Sequence, residues 1–327
     1  MHILIIGAAG MIGIKLTSRL ISDKAIGGKT IDKVTLVDVV APTKPEGAPF
    51  AVATEAADLS EPGTAERLVA DRPDIIFHLA AIVSGEAEAD FEKGYRINLD
   101  GTRYLFEAIR KVGDGYCPRV VFTSSIAVFG APFPDAIPDE FHHTPLTSYG
   151  TQKSIDELLL ADYTRRGFMD GVGIRLPTIC VRPGKPNKAA SGFFSNIIRE
   201  PLAGQEAVLP VSEDVRHWHA SPRSAVNFLI HAAEIDGAKV GPRRTLSMPG
   251  VSATVGEQID ALRKVAGDNV VKRIRREPDA VIMKIVEGWP RNFAPVRAPA
   301  LGFEAEKSFE DIIRIHIEDE LGGTWVK

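Results

Sequence analysis

Tyr149 and Lys153 stand four residues apart in the stretch Ser148-Tyr149-Gly150-Thr151-Gln152-Lys153. On a helix, side chains at i and i+4 share a face, so one site can hold both the phenol and the ammonium. A free tyrosine titrates near ~10 and a lysine slightly higher, so neither alone is a good base at neutral pH. A cation held beside the phenol favours its ionised form, and a tyrosine tuned in this way can take a proton from an alcohol. The same spacing also suits a half-buried tyrosine with a solvated lysine, so the elements that deliver the pair decide its meaning.

The chain opens with His2 to Ile6, a short apolar run rich in β-branched residues. It reads as a strand buried on both faces. Gly7-Ala8-Ala9-Gly10-Met11-Ile12-Gly13 follows, and from Met11 the apolar residues recur at helical spacing. Strand, glycine turn and helix in that order make a dinucleotide-binding turn. Gly7 permits the tight turn, Gly10 lets the backbone approach a pyrophosphate on the helix N-terminus, and Gly13 lets the helix pack on the sheet. A second strand, Val34 to Val37, ends at Asp38. An acid there can accept both hydroxyls of an adenosine ribose and repels a 2′-phosphate. No arginine directly follows Asp38, so the expected cofactor is NAD rather than NADP.

The Gly-x-x-Gly-x-x-Gly turn together with Tyr149 and Lys153 resembles the extended branch of the short-chain dehydrogenase/reductase superfamily, whose members have about this length. The resemblance implies the α/β class: a Rossmann-type doubly wound parallel sheet with a smaller C-terminal substrate-binding lobe. We expect the NAD-binding domain to be residues 1–176. Residues 177–327 should be mainly the lobe, with some segments returning. The resemblance also implies roles for residues at matching positions. Met11 and Ile12 belong to the cofactor turn. Asp58 and Leu59 meet the adenine, and Leu79-Ala80-Ala81 is the floor under the ribose and phosphates. Pro177-Thr178 grips the nicotinamide amide. Asn98, in a helix expected over Tyr95 to Lys111, is a proton-relay or structural asparagine near the lysine. Ser124-Ser125-Ile126-Ala127-Val128-Phe129-Gly130 looks like the family's Ser-Ser-x-x-Val-Tyr-Gly run, with Phe129 in place of the tyrosine. Ser125 then completes a catalytic set with Tyr149 and Lys153, donating to the substrate oxygen. Ser124 would lie closer to the cofactor.

The substrate contacts implied are Ser84, which could equally be a plain loop hydroxyl, Asn196 and Arg199. Arg216 is the natural partner of an anionic group, with His219 or Arg223 beside it. The runs Gly173 to Asn187, Ala190 to Ser195 and Arg216 to Arg223 resemble the D-erythronate dehydrogenases of the superfamily. The function implied is NAD-dependent oxidation of a small sugar acid at its 2-hydroxyl, with Tyr149 as base. A nucleotide-sugar 4-epimerase, a uronate dehydrogenase and an NAD(P)-binding regulatory sensor stay open. The family's helices also imply a homodimer.

Composition narrows the class further. The chain has 327 residues, 44% hydrophobic and 25% charged, enough for a sizeable core. A net charge of −4 without a basic run implies no nucleic-acid partner. Two cysteines, Cys117 and Cys180, form no ligand cluster, and His142-His143 with Asp139 and Glu140 matches no metal-ligand spacing. No signal peptide and no membrane-spanning run is expected, which points to the cytoplasm.

Overall fold

The computed structural model describes residues 1–184 and 190–327. Its largest sheet is built in chain order from β1 (His2–Ile6), β2 (Lys33–Asp38), β3 (Ala51–Ala56), β4 (Ile75–His78), β5 (Arg119–Ser125) and β6 (Asp170–Leu176). Two further strands, β7 (Thr178–Ile179) and β8 (Arg216–Ala220), lie outside it. The seventh sheet strand, β9 (Thr245–Ser247), pairs with β6, and β10 (Val251–Thr254) follows it in sequence. The strand order is β9-β6-β5-β4-β1-β2-β3, and all six pairings are parallel. The order reverses between β1 and β4, which opens a crevice at their carboxyl ends.

Helices cover both faces. The main helices are α1 (Met11–Asp23), α2 (Thr64–Val69), α3 (Gly101–Val112), α4 (Ser148–Arg165), α5 (Gly192–Leu202), α6 (Pro222–Glu234), α7 (Val255–Ala266), α8 (Ala280–Glu287) and α9 (Phe309–Leu321), of which α5, α7, α8 and α9 belong to the lobe instead. Ile3 and Ile5 of β1 pack with Leu16 and Leu20 of α1 and with Phe228 and Leu229 of α6. Leu4 and Ile6 point the other way, to Leu68 of α2, Phe106 of α3 and Leu160 of α4. Successive side chains of a strand alternate between faces, and both faces are covered, so β1 is apolar throughout. This is the Rossmann-type arrangement, with α6 and β9 returning to it from beyond Leu176.

A second core lies in the lobe, where Phe193, Phe194 and Ile197 of α5 pack with Ile259 and Leu262 of α7 and Ile312 and Ile313 of α9. The lobe sheet runs β7-β8-β10. Ser308 caps α9 by accepting from the Asp311 amide at 3.2 Å.

Two local features have physical causes. The stretch after α1 is a small hairpin, Ala25–Ile26 against Lys29–Thr30, turning on Gly27 and Gly28, which both have positive φ. The helix expected from Tyr95 starts earlier, at Phe91, and widens into a π-helical turn, Tyr95–Asp100. That turn holds Asn98 inward, where its amide has partners. Lys185, Pro186 and Asn187 of the quoted run lie outside the described residues.

Candidate active site

The glycine turn leaves β1 at the crevice. Gly7 has φ of 95°, and a Cβ there would come within 2.6 Å of the Ala80 amide nitrogen. A Cβ on Gly13 would come within 2.6 Å of the Ala8 Cα. Larger residues would therefore push the turn off Leu79-Ala80 and α1 off the turn. Asp38 ties the turn to β2: its carboxylate accepts from the Ala9 amide at 2.9 Å and the Val39 amide at 2.8 Å. At the start of α1, Gly10 caps without a side chain and the first turn carries no acid. The first amides, at Met11 and Ile12, therefore face a helix dipole with no built-in anion. Leu79 and Ala80 donate to the Ile6 carbonyl at 2.8 and 3.0 Å, bringing the β4 end, with Ala81, against the β1 end. Asp58 is drawn into the fold: despite partial burial, Ser60 and Arg96 hold its carboxyl below the usual range. Arg96 lies 3.1 Å from it, and Leu59 is buried in the core beside it. This turn, with its uncapped helix end and close glycine packing, fits a dinucleotide.

Ser125, Tyr149 and Lys153 come together at the β5 end. Thr147 caps α4 by accepting from the Gly150 amide at 3.1 Å, and Gly150 packs on the Ala127 carbonyl where a Cβ would not fit. Helix α4 is thereby seated on the turn that follows Ser125. Burial pushes the Tyr149 phenol up to about 12, while the Ser125 hydroxyl and the Arg182 charge pull it down. Arg182 is thus a cation that acts on the phenol. Lys153 is buried, with its Nζ 4.6 Å above the Phe122 ring and 6.0 Å from the centre of the Tyr149 ring. Burial lowers its pKa, and Asp156 and Glu157 act against that. Among the described residues Lys153 makes no hydrogen bond or ion pair, so its ammonium is free for a ligand.

Behind the pair is a buried polar layer that the sequence reading did not single out. Glu157 receives two bonds from Arg175 Nε, at 2.9 and 3.1 Å, and one from Arg175 Nη2 at 2.7 Å. His143 lies 3.1 Å from the same carboxylate. Burial opposes ionisation of Glu157, but Arg175 and His143 hold its carboxyl below the usual range. Ser124 donates to Glu157 at 2.5 Å, so its hydroxyl turns away from Ser125 into this layer rather than toward the cofactor. Adjacent strand residues point to opposite faces, which makes this unavoidable. Asn98 accepts from the Ile82 amide at 2.9 Å and donates to Gln152 at 2.8 Å. It fastens the loop after β4 to the residue beside Lys153. Ser84, half-buried, begins a short helix in that loop. The i+3 and i+4 spacing of Asp156 and Glu157 from Lys153 was the available signal for this layer.

The lobe rearranges the expected substrate contacts. Arg216 is half-buried and ion-paired with Glu257 at 3.1 Å, at the far end of β8. Arg223 pairs with Glu318 and Asp319 on α9. Arg199 pairs with Glu200 at 2.5 Å, bonds the Asn196 side chain and donates to the Arg182 carbonyl. His219 is fully buried beneath Phe194 and Phe309, with Gln258 as its neighbour at 3.1 Å. These side chains are committed to holding the lobe together, because each lies next to a complementary group within it. Arg182 differs. It donates to the Ile179 carbonyl and the Ser191 hydroxyl, both at 2.9 Å and both neutral. Among the described residues it has no carboxylate partner, and residues 185–189 contain no acid. Among the described residues no group of three or more His, Cys, Asp or Glu is placed to hold a metal, and no helix is long and apolar enough to cross a membrane.

The model of the NAD dependent epimerase/dehydratase family matches residues 3–233. The chain belongs to that family. Over 323 residues, 98% of each chain, it is 46% identical to a D-erythronate dehydrogenase of Cupriavidus necator. It is 41% identical to another from Haemophilus influenzae over 98% of this chain and all of that one. A crystal structure titled as a nucleoside-diphosphate-sugar epimerase from Agrobacterium tumefaciens is 72% identical, with a TM-score of 0.98, over 99% of this chain and 95% of the other. As a member of this epimerase/dehydratase family, the protein is an NAD-dependent dehydrogenase acting on a CH–OH group.

Proposed function

We propose that the protein oxidises the 2-hydroxyl of a four-carbon sugar acid, D-erythronate, to 2-dehydro-D-erythronate. The observation that supports this reading is an arginine without a carboxylate partner among the described residues, Arg182, whose charge acts on the Tyr149 phenol. A hydroxyl held by Tyr149 and Ser125 then lies next to a cation suited to a carboxylate, which is the pattern of a 2-hydroxy acid. The names and full-length identity of the two curated relatives support the same substrate.

In this reading Ser125 holds the substrate hydroxyl and Tyr149 removes its proton as base. Arg182 anchors the carboxylate and offsets part of the cost of a buried phenolate. The Lys153 ammonium is available to the nicotinamide ribose and, close to the tyrosine, favours the ionised form of the phenol once that ribose is bound. NAD, when bound on the glycine turn, supplies the hydride acceptor. Asp38 would take the adenosine ribose hydroxyls.

A second reading is favoured by the name given to the A. tumefaciens structure: a nucleotide-sugar epimerase, in which the arginine would take a phosphate. Incubation with NAD⁺ and a panel of sugar acids separates the two. Free NADH formed with D-erythronate supports the dehydrogenase. An isomerised nucleotide sugar with no NADH overturns it.

A further inference from the structure

His217 occupies a position where its hydrogens are fixed by its neighbours. It is buried, stacked on Phe194 at 5.2 Å between ring centres and 3° between planes, with Trp289 on its other side at 5.3 Å. Its Nδ1 lies 2.7 Å from the Pro290 carbonyl and its Nε2 lies 2.6 Å from the Thr178 hydroxyl. A carbonyl can only accept, so Nδ1 carries the hydrogen. Burial pushes the imidazole down to about 4, so the ring is neutral and Nε2 is an acceptor. The Thr178 hydroxyl must therefore donate to His217. A hydroxyl has one hydrogen and two lone pairs, and here the hydrogen is already committed.

Thr178 is partly exposed and lies two residues beyond Leu176, whose register partner is Ser125. Its remaining lone pairs are thus just past the carboxyl edge of the sheet, two residues beyond the strand position paired with Ser125. We propose that Thr178 is an acceptor-only group of the site, held in that role by His217, and that it takes an N–H or O–H donor of the ligand. This rests on the reading of the site as one for NAD and a sugar acid. Two ligand groups carry such a donor: the carboxamide of the nicotinamide and a second hydroxyl of the sugar acid. His217 is a positioning residue, acting through Thr178, and the Pro290 carbonyl fixes its tautomer.

The test is a fluorescence titration of the wild type, Thr178→Ser, Thr178→Val and His217→Phe with NAD and with 3-acetylpyridine adenine dinucleotide, in which a methyl replaces the amide NH₂. If Thr178 accepts from the carboxamide, the wild type and Thr178→Ser bind NAD about tenfold more tightly than the analogue, the size of one hydrogen bond. Thr178→Val brings the ratio towards one by weakening NAD. His217→Phe keeps the stacking but frees the threonine hydrogen, so it narrows the ratio by tightening the analogue, whose acetyl oxygen can now accept. In the second arm the same proteins, saturated with NADH, are titrated with D-erythronate and its 3-deoxy counterpart. A ratio that collapses there in Thr178→Val assigns the donor to the substrate hydroxyl. If Thr178→Val moves neither ratio while Thr178→Ser and the wild type agree, the proposal is overturned. The dinucleotide titration needs no turnover, so it stands or falls separately from the dehydrogenase reading, which fails if the wild type forms no NADH.

Discussion

The sheet half and the lobe of this protein place their charged residues in different ways. At the sheet edge, each functional group sits at the end of a strand or in the first turn of a helix: Asp38 on β2, Ser125 on β5, Tyr149 on α4. Backbone periodicity alone fixes where they point. In the lobe, four arginines lie within reach of one another in sequence terms, and the fold sorts them. Arg199, Arg216 and Arg223 find carboxylates, at Glu200, Glu257 and Asp319, and among the described residues Arg182 does not. Presence in a motif therefore does not by itself make an arginine an anion site, since the fold can give it a carboxylate of its own.

The comparison can be broken most directly at the tyrosine. Replacing Tyr149 with Phe should lower the turnover number by about 10²–10⁴-fold with NAD affinity unchanged, read from NADH formation and a dinucleotide titration. Surviving turnover would remove the base from the sheet half. The rigidity of that half is tested by Arg175→Met, which leaves Glu157 buried without its main counter-charge. We expect a loss of about 3–5 kcal/mol in unfolding free energy, measured by denaturant titration. A change of less than about 1 kcal/mol would show that Glu157 relaxes by taking up a proton.

The sorting of the arginines is tested by a matched pair. Arg182→Met should raise KM for the sugar acid by about 10–100-fold, the loss of charge-assisted hydrogen bonds. Arg216→Met should leave KM within about twofold, since a surface ion pair contributes little. The opposite result would return the carboxylate site to β8. A pH profile sharpens the same point. Burial pushes the free Tyr149 phenol up to about 12, and the proposed mechanism uses the phenolate, so kcat/KM for oxidation should rise with pH through the neutral and alkaline range. Arg182 pulls that pKa down, so Arg182→Met should move the rise to higher pH and Arg182→Lys should not. The smallest effect expected is at Asp38. Asp38→Ala should weaken NAD by about tenfold and NADP less, with the preference read from paired titrations.

Much of this was legible in the sequence because it is local. The strand, glycine turn and helix from His2 to Asp23 follow from a change of hydrophobic period and three glycines. The Tyr149 and Lys153 pair follows from helical spacing, and Thr147 places the helix start just before it. Ser124 is a useful contrast. Beside Ser125 in sequence, it faces the opposite side of β5 and serves Glu157. Strand alternation would have shown this, had the strand been known to extend through Ser125.

What the sequence determined by itself is the strand, glycine turn and helix at the start of the chain and the helical pairing of Tyr149 with Lys153, because those residues are positioned by elements they belong to. Only the tertiary structure decided which arginines find carboxylates and which ring nitrogen of His217 carries the hydrogen. Those outcomes depend on partners far away in the chain: Glu257 for Arg216, Asp319 for Arg223 and Pro290 for His217. A charge or a tautomer is set by whatever is brought within hydrogen-bond distance, and no local period of the chain encodes that.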